Sequence, residues 1–244
     1  MFINFCITFI TLEFMKSRFF ILMAALMLTL SLGACGKEQK VRGELPDEPE
    51  EPTETVSDKV VVAYVTSWTT VMPNPDRITH INYAFGGVAK DFSTLEIDNQ
   101  SRLESLVKLK SNSPKLKICL SVGGWGRGNF SEMAASDKCR KAFAEDCAKK
   151  VKSLNIDGID IDWEFPTSSS AGISSSPEDK ANFTLLMRDL REALGNGKLL
   201  TLATVCSAQY IDFKGILPYI DFVNIMAYDM ASAPYHNAPL YRKD

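Results

Sequence analysis

The chain has 244 residues, 45% hydrophobic and 23% charged, a balance that excludes a disordered or fibrous polypeptide and fits one folded domain of moderate size. Its formal net charge of −3 gives no electrostatic ground for binding nucleic acid, and a neutral or weakly charged partner is easier to accommodate.

The N-terminus reads as an export segment rather than part of a fold. From Met15 it runs MKSRFFILMAALMLTLSLGAC, with Lys16 and Arg18 ahead of an apolar stretch over 19–32 and small residues before Cys35. That stretch is shorter than the ~20 residues a membrane span needs. Residues 1–34 are therefore read as a signal peptide, with Met15 the expected start and 1–14 an upstream extension. Leu32-Gly33-Ala34-Cys35 resembles a bacterial lipobox, which implies cleavage before Cys35, lipidation of its thiol and an exported, membrane-anchored lipoprotein at the periplasm or cell surface. Residues 35–57 are rich in Glu and Pro and nearly free of large apolar side chains, so they are expected to form a solvated tether.

Of the six cysteines, Cys6 falls in the upstream extension and Cys35 would be acylated. Cys139 and Cys147 lie on one predicted helix, roughly 12 Å apart along its axis, too far to bridge. Cys119 and Cys206 fall in apolar strands and read as buried thiols.

Six β-rich runs follow: VVVAYVTSW (60–68), HINYAFGGV (80–88), KLKICLSVGG (115–124), GIDIDWE (158–164), LLTLATVCS (199–207) and FVNIMAYD (222–229). Between them, 136–154 carries Cys139, Ala142, Phe143, Cys147, Val151 and Leu154 on one helical face. A second helix opens at Ser176-Pro177, carries Phe183, Leu186, Met187, Leu190 and Leu194 on one stripe, and stops at Gly195. Strand-helix alternation leaves a doubly wound sheet or a (β/α)8 TIM barrel, and no dinucleotide-binding fingerprint follows the first strand. Polar and glycine residues gather at the C-terminal ends of three strands, where a barrel builds its site, so the α/β barrel is the expected fold over 58–244. That span falls short of the ~250 residues of a full barrel and supplies about six βα units, so the barrel is expected to be incomplete.

The stretch DGIDIDWEFP places four carboxylates in a run that otherwise reads as a buried strand. Alternate side chains share a face, so Asp160, Asp162 and Glu164 point to the barrel interior and Ile159, Ile161 and Trp163 to the helices. Carboxylates crowded in a closed interior repel one another, and at neutral pH at least one should hold a proton. A shared proton is what a general acid needs, and Glu164 is expected nearest the mouth. Asp157 has the other parity and is expected to bond to turn backbone. An Asp-x-Asp-x-Glu run could instead hold Mg²⁺ or Ca²⁺ through oxygen ligands. The two histidines, His80 and His236, are too few for a transition-metal cluster, and the reading adopted needs no metal or cofactor.

DGIDIDWEFP resembles the Asp-x-x-Asp-x-Asp-x-Glu signature of glycoside hydrolase family 18, the chitinase family. LSVGGW (120–125) resembles its Ser-x-Gly-Gly segment on strand three, and IMAYD (225–229) its Met-x-Tyr-Asp on strand six. VVAYVTSW, ITHINYAFG, FSEMAASDKCRKAF and FTLLMRDLREAL are similar to family segments in the same order. The resemblance implies retaining hydrolysis of chitin or N-acetylglucosamine oligosaccharides assisted by the substrate's own acetamido group. It implies Glu164 as the acid, Asp162 as the group that orients the acetamido, Asp160 as modulator of the shared proton, and Tyr228 as donor to the acetamido oxygen. It implies sugar contacts from Asp229 and Met226, and structural roles for Asp157, Ser121, Gly123 and Gly124. Tyr64, Phe85 and Trp125 are candidates for sugar stacking. An endo-β-N-acetylglucosaminidase acting on N-glycans and a carbohydrate-binding protein without catalysis stay open as alternatives.

Overall fold

The structure, a computed structural model, describes residues 3–5 and 59–229. The export segment from Met15, Cys35, the tether, His236 and the closing APYHNAPLYRKD lie outside the described residues.

In chain order the strands are β1 (Ile3–Phe5), β2 (Val62–Thr66), β3 (His80–Val88), β4 (Leu95–Ile97), β5 (Lys117–Gly123), β6 (Gly158–Asp162), β7 (Leu199–Val205) and β8 (Phe222–Met226). The helices are α1 (Gln100–Val107), α2 (Phe130–Ala135), α3 (Asp137–Ser153), α4 (Asp179–Leu194) and the single turn α5 (Phe213–Ile216). Within 59–229 the parallel strands run in the order β8-β7-β6-β5-β3-β2, with helices carrying the chain from one to the next after β3. This is the strand-helix alternation of a TIM barrel, and residues 59–229 supply six of its eight strands. The backbone of β1 pairs in parallel with β8, and β4 forms an antiparallel hairpin with β3.

The register explains the side-chain sorting. Ser121 lies opposite Asp160 and Gly123 opposite Asp162, so the Ser-x-Gly-Gly segment and the acidic motif are neighbours along their length. The outward residues Ile118, Leu120 and Val122 of β5, Ile159 and Ile161 of β6, and Leu200 and Leu202 of β7 are fully buried. They pack into one core with Phe143, Cys147 and Val151 of α3 and Phe183, Leu186, Met187 and Leu190 of α4. Each such side chain withdrawn from water stabilises the domain by about 1.5–3 kcal/mol. Trp163 joins this core, stacked on Phe130 at 5.3 Å between ring centroids. A smaller cluster of Phe165, Ala203 and Met226, with Tyr64, Val205 and Tyr210 against it, lies apart from that core.

Several boundaries differ from those the sequence suggests. The strand expected over 158–164 ends at Asp162, because Trp163 turns into the helix-side core and Phe165 into the smaller cluster. The helix expected from Ser176-Pro177 begins at Asp179. The reason is Asp179 itself: its Oδ2 accepts from the backbone N–H groups of Ser176 (2.7 Å) and Thr167 (3.2 Å), which holds the preceding loop in a turn. Cys206, expected as a buried strand thiol, lies beyond the end of β7 and is exposed, whereas Cys119 and Cys147 are buried. The hairpin strand β4 and the short helices α1 and α2 carry too few residues for a clear period and are absent from the sequence reading. The other well-marked helix agrees: α3 starts after Ser136, whose Oγ accepts from the Cys139 N–H as an N-cap.

Candidate active site

At the floor lies Asp160, fully buried. Its Oδ2 accepts from the Tyr64 hydroxyl and from Ser121 Oγ, each at 2.8 Å. Its Oδ1 accepts from Thr201 Oγ1 at 2.5 Å and Asn224 Nδ2 at 3.1 Å. Five strands, β2, β5, β6, β7 and β8, thus converge on one carboxyl group, two donors to each oxygen. Burial raises its pKa above the ordinary aspartate value, and the four hydrogen bonds offset part of that rise. With donors at both oxygens, the anion is the form this arrangement serves. Those bonds would have to be given up before either oxygen could bind a cation.

Above it, Asp162 is 5% exposed, and its Oδ1 is buried without a hydrogen-bond partner among the described residues. Burial, then the charges of Glu164 and Asp160, push its pKa well above the carboxylate range. Each of these causes favours its protonated form. Glu164 lies two residues past the end of β6, half-buried, on the wall of a cleft. Burial, with the Asp229 charge as the second cause, raises its pKa to about 7. The pressure on Glu164 thus includes an acid from the end of β8, which the acidic motif alone does not reveal.

The cleft has a volume of about 470 Å³ and is bounded by Trp125, Glu164, Phe165, Met226, Tyr228 and Asp229, with Val205 and Cys206 completing the wall. Trp125 is 63% exposed and Tyr228 40%, large rings left open to solvent at the mouth. Such rings offer flat apolar faces, and Glu164, Tyr228 and Asp229 supply polar groups beside them, the mixture that holds an amphipathic ring such as a sugar. Phe165 meets the Trp125 ring edge-on at 6.3 Å and stacks on Tyr210 at 4.7 Å, which fixes the wall behind the open indole.

The glycines explain how two strand ends can lie so close. Gly123 has φ of 125°, and a Cβ there would fall 1.9 Å from the Asp162 carbonyl oxygen. Gly124, at φ of 96°, donates its N–H to that same oxygen at 2.8 Å, and a Cβ would press on the Phe85 ring at 3.0 Å. Only glycine fits where the backbone passes this near the acidic strand.

The residues singled out in the sequence therefore divide by location. Glu164, Trp125, Met226, Tyr228 and Asp229 meet in the cleft, while Asp160, Asp162 and Ser121 lie buried on β6 and β5. The Tyr64 hydroxyl is committed to Asp160, which gives this residue a use beyond a stacking surface. Phe85 lies against Gly124 and 6.4 Å from the Trp68 ring rather than in the cleft wall. Asp157 is remote from the cleft: its Oδ2 accepts from the Ile118 N–H at 2.8 Å and Lys110 Nζ at 2.7 Å, tying β5 to the start of β6. Thr201, Asn224, Phe165 and Val205 were not singled out. The period of two would have found the strand residues, since Thr201, Ala203 and Val205 share a face, as do Asn224 and Met226.

Residues 60–244 match the family described as Glycosyl hydrolases family 18. The chain belongs to that family. Among its curated relatives, a "Probable chitinase 2" of Drosophila melanogaster is 33% identical over 77% of this chain and 44% of its own length. The chain thus spans less than half of that protein. Two solved family structures agree in fold. The chitinase domain of the spore coat protein CotE from Clostridium difficile superposes with a TM-score of 0.70 at 31% identity, over 81% of this chain and 60% of that one. A family 18 N-acetylglucosaminidase from Paenibacillus barengoltzii gives a TM-score of 0.65 at 40% identity, over 70% of this chain and 54% of its own.

Proposed function

We propose that the domain is a glycosidase that hydrolyses β-1,4 bonds of chitin or N-acetylglucosamine oligosaccharides with retention of configuration, the substrate's acetamido group acting as nucleophile. The observation that carries this reading is the placing of Glu164 on the wall of an aromatic cleft, where burial and the Asp229 charge raise its pKa to about 7. A general acid works best with a pKa near the working pH, where it is protonated often enough and still gives its proton up.

In the proposed reaction Glu164 gives its proton to the glycosidic oxygen as the bond to C1 breaks. The acetamido carbonyl oxygen attacks C1 from the other face, forming an oxazolinium ion. Asp162, a buried acid two residues before Glu164, accepts a hydrogen bond from the acetamido N–H and in its ionised form offsets the growing positive charge. Tyr228 donates to the acetamido oxygen and holds it in line. Glu164, now ionised, then takes a proton from the water that opens the ring. Trp125 supplies the stacking face and Asp229 a hydroxyl partner. Export as a lipoprotein anchored at Cys35 belongs to the same proposal, and would hold the domain where polymeric substrate is met.

The sign of the pH dependence follows from Glu164. It carries its proton below about pH 7 and loses it above, so turnover falls as pH rises through that value. Asp229→Asn removes a negative charge that favours the protonated form, so the alkaline limb of kcat/KM is expected to move down by about half a unit, whatever happens to the absolute rate. A limb that stays in place would show that Asp229 does not act on Glu164.

Incubation of the chain with chitooligosaccharides and with a high-mannose glycopeptide tests the substrate class. Release of short N-acetylglucosamine oligomers is the expected result. Cleavage of the glycopeptide alone would move the assignment to an endo-β-N-acetylglucosaminidase, and binding without turnover to a carbohydrate-binding protein.

A further inference from the structure

Asn224 holds an arrangement that the proposed reaction does not use. It is 2% exposed and donates Nδ2 to Asp160 Oδ1, while its own Oδ1 is buried with no hydrogen-bond partner among the described residues. An unpaired buried acceptor is unfavourable, so the residue is being kept for its other end. Turning the amide over would not help, because it would set oxygen against the Asp160 carboxylate.

The four donors to Asp160 are also not equivalent. Tyr64, Ser121 and Thr201 present hydroxyls, which can rotate to accept a hydrogen bond if Asp160 takes up a proton. The amide nitrogen of Asn224 can only donate. It is the one partner of Asp160 that can accept from the protonated acid only by turning its whole amide over, where the three hydroxyls need only rotate. Thr201, at 2.5 Å on the same oxygen, makes the shortest of the four contacts.

We infer that Asn224, with Thr201 beside it, is a positioning residue that keeps Asp160 ionised at the base of the site and so confines the transferable proton to Asp162 and Glu164. The inference rests on the glycosidase reading for its catalytic consequence, though not for its effect on Asp160. Other titratable groups bear on the same centre: Tyr64 of β2 and Cys119 of β5 both feel the Asp160 charge, as does Asp162 of β6. Desolvation pushes the pKa values of half-buried Tyr64 and buried Cys119 well up, so both stay neutral in the working range. Asp162, directly above, is the group that would exchange protons with Asp160 if the clamp were loosened.

Asn224→Leu removes the donor and the orphan oxygen together in a side chain of similar size, and Thr201→Val removes the second donor to the same oxygen. The full chain, labelled with ¹³C at aspartate carboxyls, reports Asp160 directly by NMR titration. Its midpoint is expected to rise by about one unit in each variant, the worth of one hydrogen bond to a charged group. The acidic limb of kcat/KM on chitooligosaccharides is expected to move with it, with KM within about twofold of the parent. A purely structural role would lower thermal stability and leave both limb and midpoint in place. An unmoved Asp160 midpoint overturns the inference, as does a moved midpoint with an unmoved acidic limb. Should Asn224→Leu fail to fold, Thr201→Val reads the same oxygen. A moved midpoint in a parent that hydrolyses no chitooligosaccharide supports the clamp and overturns the glycosidase reading instead.

Discussion

Replacing Glu164 by glutamine is expected to lower kcat on chitooligosaccharides by about a thousandfold while leaving KM within a few-fold. Gln has nearly the shape of the protonated glutamic acid and keeps a hydrogen-bond donor, so the cleft and its grip on the sugar should survive. What disappears is the proton that can be given up to the leaving oxygen. The size follows from general acid catalysis, which contributes about 10²–10⁴ in rate, or about 3–5 kcal/mol of barrier. The pH profile supplies an internal check. The alkaline limb near 7 belongs to Glu164, so any residual activity of the variant should lack it. If kcat/KM fell because KM rose with kcat unchanged, Glu164 would be a binding group and the assignment of the acid would be wrong.

A second large effect is expected at a residue with no functional group. Gly123→Ala is expected to destabilise the domain by about 4 kcal/mol and to abolish turnover at temperatures where the variant still folds. The added methyl would lie 1.9 Å from the Asp162 carbonyl oxygen, so β5 and β6 cannot keep their register there without separating. The φ of 125° at this position adds a second penalty for any L-residue. Because the clashing atom belongs to Asp162 itself, relief of the clash displaces the carboxyl that lies between Asp160 and Glu164. Denaturant unfolding and kcat measured on the same sample check both parts. A folded variant with normal turnover would show that the tight approach of the two strands is not needed to place Asp162.

These expectations show which parts of the molecule could be read from residue order. The alternation Ile159-Asp160-Ile161-Asp162 could be sorted into two faces because a strand has a fixed period, and the structure buries the isoleucines against helices as that period demands. The long stripes of α3 and α4 were legible for the same reason. The position of Glu164 was less so. It was expected as the last residue of the strand, yet the strand stops at Asp162, and what places Glu164 is packing of the residues on either side, Trp163 on Phe130 and Phe165 on Tyr210. Such contacts join segments far apart in sequence, and no local pattern announces them.

The partners of Asp160 divide in the same way. Tyr64 and Ser121 stood in segments that resemble the family, whereas Thr201 and Asn224 sat in strands whose apolar residues dominated the reading. Parity put them on the interior face, but only the sheet order β8-β7-β6 brings them to one carboxyl group. The influence of Asp229 on Glu164 likewise depends on the sheet order, which sets β8 one strand away from β6 across β7. The electrostatics of the site are therefore a property of the assembled sheet rather than of the acidic motif taken alone.

The central claim is that Glu164 protonates the leaving group while the substrate's acetamido oxygen attacks C1. The most direct measurement is the anomeric configuration of the first product formed from a chitooligosaccharide, followed by ¹H NMR before mutarotation, with a fully deacetylated oligomer of equal length run beside it. The account predicts the β-anomer from the acetylated substrate and no turnover of the deacetylated one. An α-anomer as first product, or comparable rates on the two substrates, would contradict it.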